Sequence, residues 1–259
     1  MGNKDSENIK ILSDPAKCEM DDSYFDLANN EHPWIQWRFD TICTVLPDNF
    51  NWGNLLDVGC GNCIALEQVR NAFGVNGKGC DLNLRALESG VYSAGLKFFY
   101  DVQDRRTEFK YHFDAVLLLD VLEHIDNPVE FLEAVNFHLR PGAAIIINVP
   151  AMPTLYSAYD SMQGHVKRYN LAELRRELRE ADFEVGTIGY WGFTLIPIAF
   201  VRKLVMFILG KQASYKTGFQ VPGLLGSIIL KILRRFDNSI GHQQFAGTSI
   251  IAIAYKSGK

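Results

Sequence analysis

Two acids and two glycines carry the first chemical signal in this 259-residue chain: Asp57, Gly59 and Gly61, then Asp81 20 residues after Gly61. Within Asn54 to Cys63 an apolar run ends at an acid and then in glycines one residue apart. That is the pattern of a buried strand breaking into a tight turn whose backbone can approach a ligand. A helix is expected to begin near Ile64, so that N–H groups at its positive end face an anionic or polar ligand group. Asp81 closes the next apolar segment at the distance usual for a carboxylate that accepts ribose hydroxyls. The four residues point to a nucleoside-containing ligand. A dinucleotide site would need a further glycine or alanine at position 64, where Ile64 stands, so a dinucleotide oxidoreductase is disfavoured.

A second group, Asp120, Glu123 and His124, follows the apolar run Phe113 to Leu119. In an open parallel sheet ligands bind beyond the carboxyl ends of the strands, which puts this segment beside the reacting atoms. Three readings compete. His124 can be a general base, because an unperturbed imidazole titrates near neutral pH. Asp120, Glu123 and His124 can instead bind a divalent cation, or Glu123 and His124 only tie the loop together. The reading adopted has no metal. The connection Pro150 to Asn170 is long for a compact domain and so a candidate binding element. It offers a second base in His165, and acceptor-binding groups in Tyr156, Tyr159, Arg168 and Tyr169; alternatively His165 and Arg168 pin the loop to the sheet.

The elements that must position these residues alternate along the chain. Strands are expected at 54–58, 77–81, 96–100, 113–119, 143–149 and 183–190, with helices between them and a final β-rich run from Gly247 to Tyr255. Asn127-Pro128 with Glu130, and Asn170 with Glu173, read as capping boxes opening helices. Leu139-Arg-Pro-Gly142 should stop the first of these before its strand. The first dozen residues are expected to be frayed. Tyr24 to Leu46 is aromatic, with Tyr24, Phe25, Trp34, Trp37 and Phe39 around Arg38, and reads as one or two helices that either pack on the domain or cover the ligand. Residues 191–245 break the rhythm.

With 47% hydrophobic and 22% charged residues, the chain can bury one sizeable core, and a net charge of −4 gives no reason to expect nucleic acid as partner. Cysteines 18, 43, 60, 63 and 80 form no spaced framework, which fits a reducing cytosol, and Cys60-x-x-Cys63 reads as small turn residues. No signal peptide is visible, and Arg202 and Lys203 interrupt the most apolar stretch, 190–209, before it reaches the ~20 residues of a membrane span. Residues 190–240 hold Arg202, Lys203, Lys211, Lys216, Lys231, Arg234 and Arg235 against Asp237 alone. The chain's −4 is therefore +6 in this segment and −10 elsewhere. Such basic, apolar helices can lie on an anionic membrane surface, enclose an apolar substrate or simply cap the domain.

Asp57-Val-Gly59-Cys-Gly61 resembles motif I of the class I S-adenosylmethionine-dependent methyltransferases, an acid before Gly-x-Gly-x-Gly, with Cys63 at the third glycine. Asp120-Val-Leu-Glu-His-Ile-Asp-Asn-Pro is similar to the stretch Glu-x-x-Glu-His of the small-molecule methyltransferases that include the ubiquinone-biosynthesis O-methyltransferases, where the acids and histidine can hold a metal. Asn148-Val-Pro150 and Gly164-His-x-x-Arg-Tyr169 resemble a bacterial subgroup, and the resemblance spans about residues 24 to 190.

The resemblance implies an α/β, doubly wound, seven-stranded sheet, mostly parallel with the last strand antiparallel. It implies S-adenosylmethionine as cofactor, held by Asp57, Gly59, Cys60, Gly61, Asp81, Leu82, Asp101, Val102 and Leu119, with Asp101 on the adenine amino group. The organisation expected is a tail and helical lid over 1–46, a cofactor-binding core over 47–190, a helical insertion over 191–245 and a closing strand over 246–259. The activity expected is methyl transfer in the cytoplasm, at oxygen or nitrogen of a small-molecule or lipid-linked acceptor, with peripheral membrane contact through 190–240. The alternative is a non-catalytic protein that binds the same cofactor.

Overall fold

The computed structural model describes residues 9–14, 32–90, 92, 94–209, 224–241 and 245–258. Tyr24, Phe25, Cys18, Lys211 and Lys216 lie outside the described residues. The strands are β1 (Ile9–Ile11), β2 (Leu55–Val58), β3 (Lys78–Asp81), β4 (Lys97–Phe99), β5 (Phe113–Leu119), β6 (Leu139–Pro150), β7 (Phe183–Trp191) and β8 (Ser249–Lys256). The helices are α1 (Pro33–Val45), α2 (Ile64–Phe73), α3 (Leu84–Ser89), α4 (Pro128–His138), α5 (Ala158–Met162), α6 (Leu171–Glu180), α7 (Ile196–Leu209) and α8 (Leu224–Ile240).

One sheet of eight strands runs in the order β1-β4-β3-β2-β5-β6-β8-β7. The expected seven strands are present in a Rossmann-like arrangement. The eighth is β1, which pairs parallel to β4 with Ile9 opposite Lys97. Ile9-Lys-Ile11, expected to be frayed, is ordered because the open edge of β4 offers it backbone partners. The last strand is antiparallel as expected, and it lies between β6 and β7. The chain reverses its winding between β2 and β5, which pair parallel, so the ligand crevice should open at their carboxyl ends.

β5 is buried along its length except for Asp114, as suits a central parallel strand covered on both faces. On one face Leu56, Val116, Leu118 and Ile145 pack with Phe131, Leu132 and Val135 of α4 and Leu174 and Leu178 of α6. On the other, Leu55, Leu117 and Ile146 meet Trp37 and Ile42 of α1 and Leu66 and Val69 of α2.

Local signals held in part. Asn170 caps α6 by accepting from the Glu173 N–H at 2.9 Å, while the Glu173 carboxylate accepts from Lys167. Asn127 precedes Pro128 at the start of α4 but its side chain makes no capping bond, so that box does not form. A capping box does form at Ser157 and Asp160, opening α5. Leu139 to Gly142, expected as a stop, already belongs to β6. Its extra residues are absorbed by an irregularity in the pairing with β5, where Arg140 bonds Asp114 at 2.6 Å.

α8 is tied down by the acid that breaks its basic run. Asp237 accepts from the N–H groups of Gly192 at 2.7 Å and Thr194 at 3.1 Å, at the turn after β7. Arg234 bonds Asp40 and Gln36 of α1, at 2.6 and 2.8 Å.

Candidate active site

The glycine turn follows directly from β2. Gly59 has a φ of +70°, and a Cβ there would sit 2.4 Å from Val121 Cγ2, so both conformation and space require glycine. Gly61 donates its N–H to Asp81 Oδ2 at 2.7 Å, and Asn83 donates to the other oxygen at 2.7 Å. Asp81 therefore braces the turn as well as facing the cavity. Cys63, at the third-glycine position, keeps a glycine-like φ of +62° just before α2, at a cost of about 1–2 kcal/mol for a residue with a Cβ. Its buried thiol lies 3.4 Å from that of Cys60, and both are free. The Cys-x-x-Cys is packed inside the turn, as its spacing suggested.

Asp57 is buried, and its Oδ2 has no hydrogen-bond partner. Burial, with a smaller push from Asp81 and against the pull of Arg38, raises its carboxyl to about 7. Because the folded value exceeds the unfolded 3.8, the stability this group contributes is complete below about pH 4 and is lost as pH rises through 7. The ligand-free protein should therefore lose thermal stability between about pH 4 and 7, and Asp57→Asn should flatten the slope. Melting curves with equal slopes in both proteins would exclude this role.

A cavity of about 1350 Å³ opens over the turn. All nine residues expected to hold the cofactor line it: Asp57, Gly59, Cys60, Gly61, Asp81, Leu82, Asp101, Val102 and Leu119. Asp101 accepts from the Gln103 N–H at 2.9 Å, and its own N–H bonds Ser13 Oγ at 2.8 Å, tying the amino-terminal segment to the cavity rim.

The second group converges on the same cavity. Asp120 takes a φ of +58° and accepts from Arg38 at 2.5 Å and Asn148 at 2.7 Å; Asn148 in turn accepts from Trp191. With Arg38 lying 5.2 Å from the centre of the Trp34 ring, α1 does both things its aromatics allowed. Trp37 is buried in the core beside Trp191, and with Trp34 and Arg38 it lines the cavity.

Asp160, fully buried, accepts from His165 Nδ1 at 3.2 Å and from Arg168 Nε at 2.6 Å. Burial works to raise its carboxyl, but the His165 hydrogen bond and Arg168 outweigh it and hold it at about 2. The other His165 nitrogen, Nε2, lies 4.0 Å from Glu123 Oε1, and the ring meets His124 edge-on at 4.8 Å between centres. Glu123 is buried with both oxygens unbonded; burial first, then Asp120, push it well above the usual carboxylate range. His124 is lowered to about 4 by burial and by His165.

Among the described residues, the cluster that could hold a metal is Glu123, His124 and His165, whose ligand atoms lie within 4.8 Å of one another. Asp120, grouped with Glu123 and His124 from the sequence, is instead engaged by Arg38 and Asn148. Tyr159 and Arg168 line the cavity, whereas Tyr156 and Tyr169 do not. Tyr156 donates to the His165 carbonyl at 2.7 Å, and buried Tyr169 donates to the Leu122 carbonyl at 3.3 Å. Both brace the loop. Arg202 of α7 also lines the cavity, with its guanidinium over Tyr159. Its place inside a segment read only for net charge hid it.

Residues 32–188 match the family model of the methyltransferase domain, and the chain belongs to that family, as a class I S-adenosylmethionine-dependent methyltransferase. It is 27% identical over 224 residues, 74% of this chain and 91% of the relative, to the ubiquinone biosynthesis O-methyltransferase of Azoarcus sp. (strain BH72). Its fold is similar to a methyltransferase solved with the Trm112 activator of Haloferax volcanii (TM-score 0.60, 14% identity, 91% of this chain and 95% of that one). It is also similar to Haemonchus contortus phosphoethanolamine N-methyltransferase 2, solved with S-adenosylmethionine (TM-score 0.53, 18% identity, 86% and 53%).

S-adenosylmethionine is the cofactor, and the site fits it. The unbonded buried oxygen of Asp57 suits a ligand ammonium group, the backbone at Gly59 and Gly61 lines the cavity beside it, and Asp81 suits ribose hydroxyls.

Proposed function

We propose that this protein methylates a hydroxyl group of a small or lipid-like acceptor, with His165 as the base. His165 on the wall of the cofactor cavity, with Asp160 buried behind it, carries this reading. Bound S-adenosylmethionine supplies an electrophilic methyl on a sulfonium. Asp160, ionised and buried, holds the proton on His165 Nδ1 and so leaves Nε2 free to accept one from the acceptor hydroxyl. Its negative charge then stabilises the imidazolium that forms, the role a carboxylate plays behind a catalytic histidine. Arg38, Trp34 and the helices α7 and α8 enclose the reactants and limit water, so positioning and desolvation supply most of the rate. The O-methyltransferase name of the bacterial relative supports oxygen over nitrogen.

The test is incubation of the full chain with methyl-labelled cofactor and extracts of lipids and small molecules, followed by mass analysis. Label in an ether product supports the reading; label only on nitrogen or on a carboxylate, or none, overturns it. The unbonded oxygens of Glu123 beside two histidines favour a second reading, in which a divalent cation sits there. Full activity after chelation, with no metal by elemental analysis, would remove it.

No helix among the described residues is long and apolar enough to cross a membrane. We propose peripheral contact through α8, where Ile232 and Phe236 are 61% and 57% exposed beside exposed Lys231 and Arg235. Sedimentation with anionic vesicles at low salt should fall as salt rises, and Lys231→Gln with Arg235→Gln should weaken it. Arg234, engaged with Asp40, is left intact. Equal binding to neutral vesicles counts against this surface.

A further inference from the structure

Arg202 is a charged cavity residue that the methyl-transfer chemistry leaves unused. Its guanidinium lies 4.2 Å from the centre of the Tyr159 ring, and its Nε is buried without a hydrogen-bond partner. No carboxylate pairs with it among the described residues. The nearby acid, Asp160, is already bonded to Arg168 and His165. An arginine stays protonated in proteins, so this wall carries a positive charge to which no carboxylate is bonded among the described residues. Such a group is costly to bury unless a partner reaches it. Lys203, its neighbour, donates to the Thr154 carbonyl at 2.6 Å and fixes α7 against the loop. Ile198, Ala199 and Met206 of α7, with Ile229 and Leu230 of α8, add an apolar lining to the same cavity.

We infer that the methyl acceptor is an anionic amphiphile, whose carboxylate or phosphate binds Arg202 while its apolar part lies among the side chains of α7 and α8. A guanidinium fork matches either anion bidentately, and the aromatic face of Tyr159 keeps it oriented. This deepens the methyl-transfer reading and rests on it for the role of acceptor; the binding preference does not depend on it.

The test uses the full chain saturated with S-adenosylhomocysteine, titrated calorimetrically with decanoate, decyl phosphate and decanol, each below its micellar concentration. At least one anion should bind ten times or more as tightly as decanol. Decanoate ahead of decyl phosphate identifies a carboxylate acceptor, and the reverse order a phosphate. Arg202→Leu should abolish the margin while leaving S-adenosylhomocysteine affinity unchanged, and Arg202→Lys should keep part of it. Arg202→Gln serves the same comparison if the leucine variant fails to fold. Equal affinity for all three amphiphiles, or a margin that survives loss of the charge, overturns the inference. Absence of methyl transfer to any hydroxyl, with the anion margin intact, would instead overturn the proposed reaction alone.

Discussion

His165→Ala is expected to lower kcat by on the order of 10²–10⁴, the usual worth of a positioned general base, while cofactor affinity stays nearly constant. The expectation rests on the fixed geometry of the ring, with Nδ1 held by Asp160 at 3.2 Å and Nε2 turned towards buried Glu123. His124 has a different part. Held at about 4, it is neutral from pH 6 to 9 and cannot give a limb to the rate profile there. His124→Ala should therefore leave the shape of the profile and lower the rate less than His165→Ala does. Single-turnover rates with a methyl acceptor, measured across pH 6 to 9 alongside calorimetric cofactor binding, separate the two. Full activity in both variants would remove both histidines as bases.

Asp81→Ala should weaken cofactor binding by roughly 10- to 150-fold, as expected for losing hydrogen bonds of 1.5–3 kcal/mol to a charged group. The structure adds a second loss. The Gly61 and Asn83 N–H groups, each bonded to Asp81 at 2.7 Å, are left without their acceptor in a buried turn. Each such orphan costs about 1–3 kcal/mol, so the variant should also melt at lower temperature even without ligand. Asp81→Asn keeps the shape and one acceptor oxygen and should fall between. Calorimetry showing wild-type affinity in the alanine variant would defeat the assignment of this carboxylate to the cofactor.

What the sequence determined by itself was the part of the protein built from local backbone preference and period. The glycines at 59 and 61 need positive φ, apolar runs such as Phe113 to Leu119 suit a strand buried on both faces, and Asn170 caps the helix it precedes. These are short-range effects, and they were enough to read the doubly wound sheet; the nine residues that the resemblance implied for the cofactor line one cavity. Cys63 shows the same logic: the turn keeps a glycine-like conformation at a position where the residue is no longer glycine.

What only the tertiary structure decided was which polar groups meet. Arg38 reaches Asp120 across 82 positions of sequence, and Arg234 reaches Asp40 across 194. No periodicity encodes such pairs, because they depend on how helices dock on the sheet. The docking separated Tyr159 and Arg168, which face the cavity, from Tyr156 and Tyr169, which brace the loop, although all four read alike as loop residues. It placed His165 beside Glu123 and His124, and moved Asp120 out of that group and onto an arginine. It paired Ile9 to Ile11 with an open strand edge, since a three-residue strand has too little local preference to announce itself. Burial then set the charges. Asp57 and Asp160 are the same side chain, raised to about 7 and held at about 2, because one is left with an unbonded oxygen and the other has a histidine and an arginine within reach.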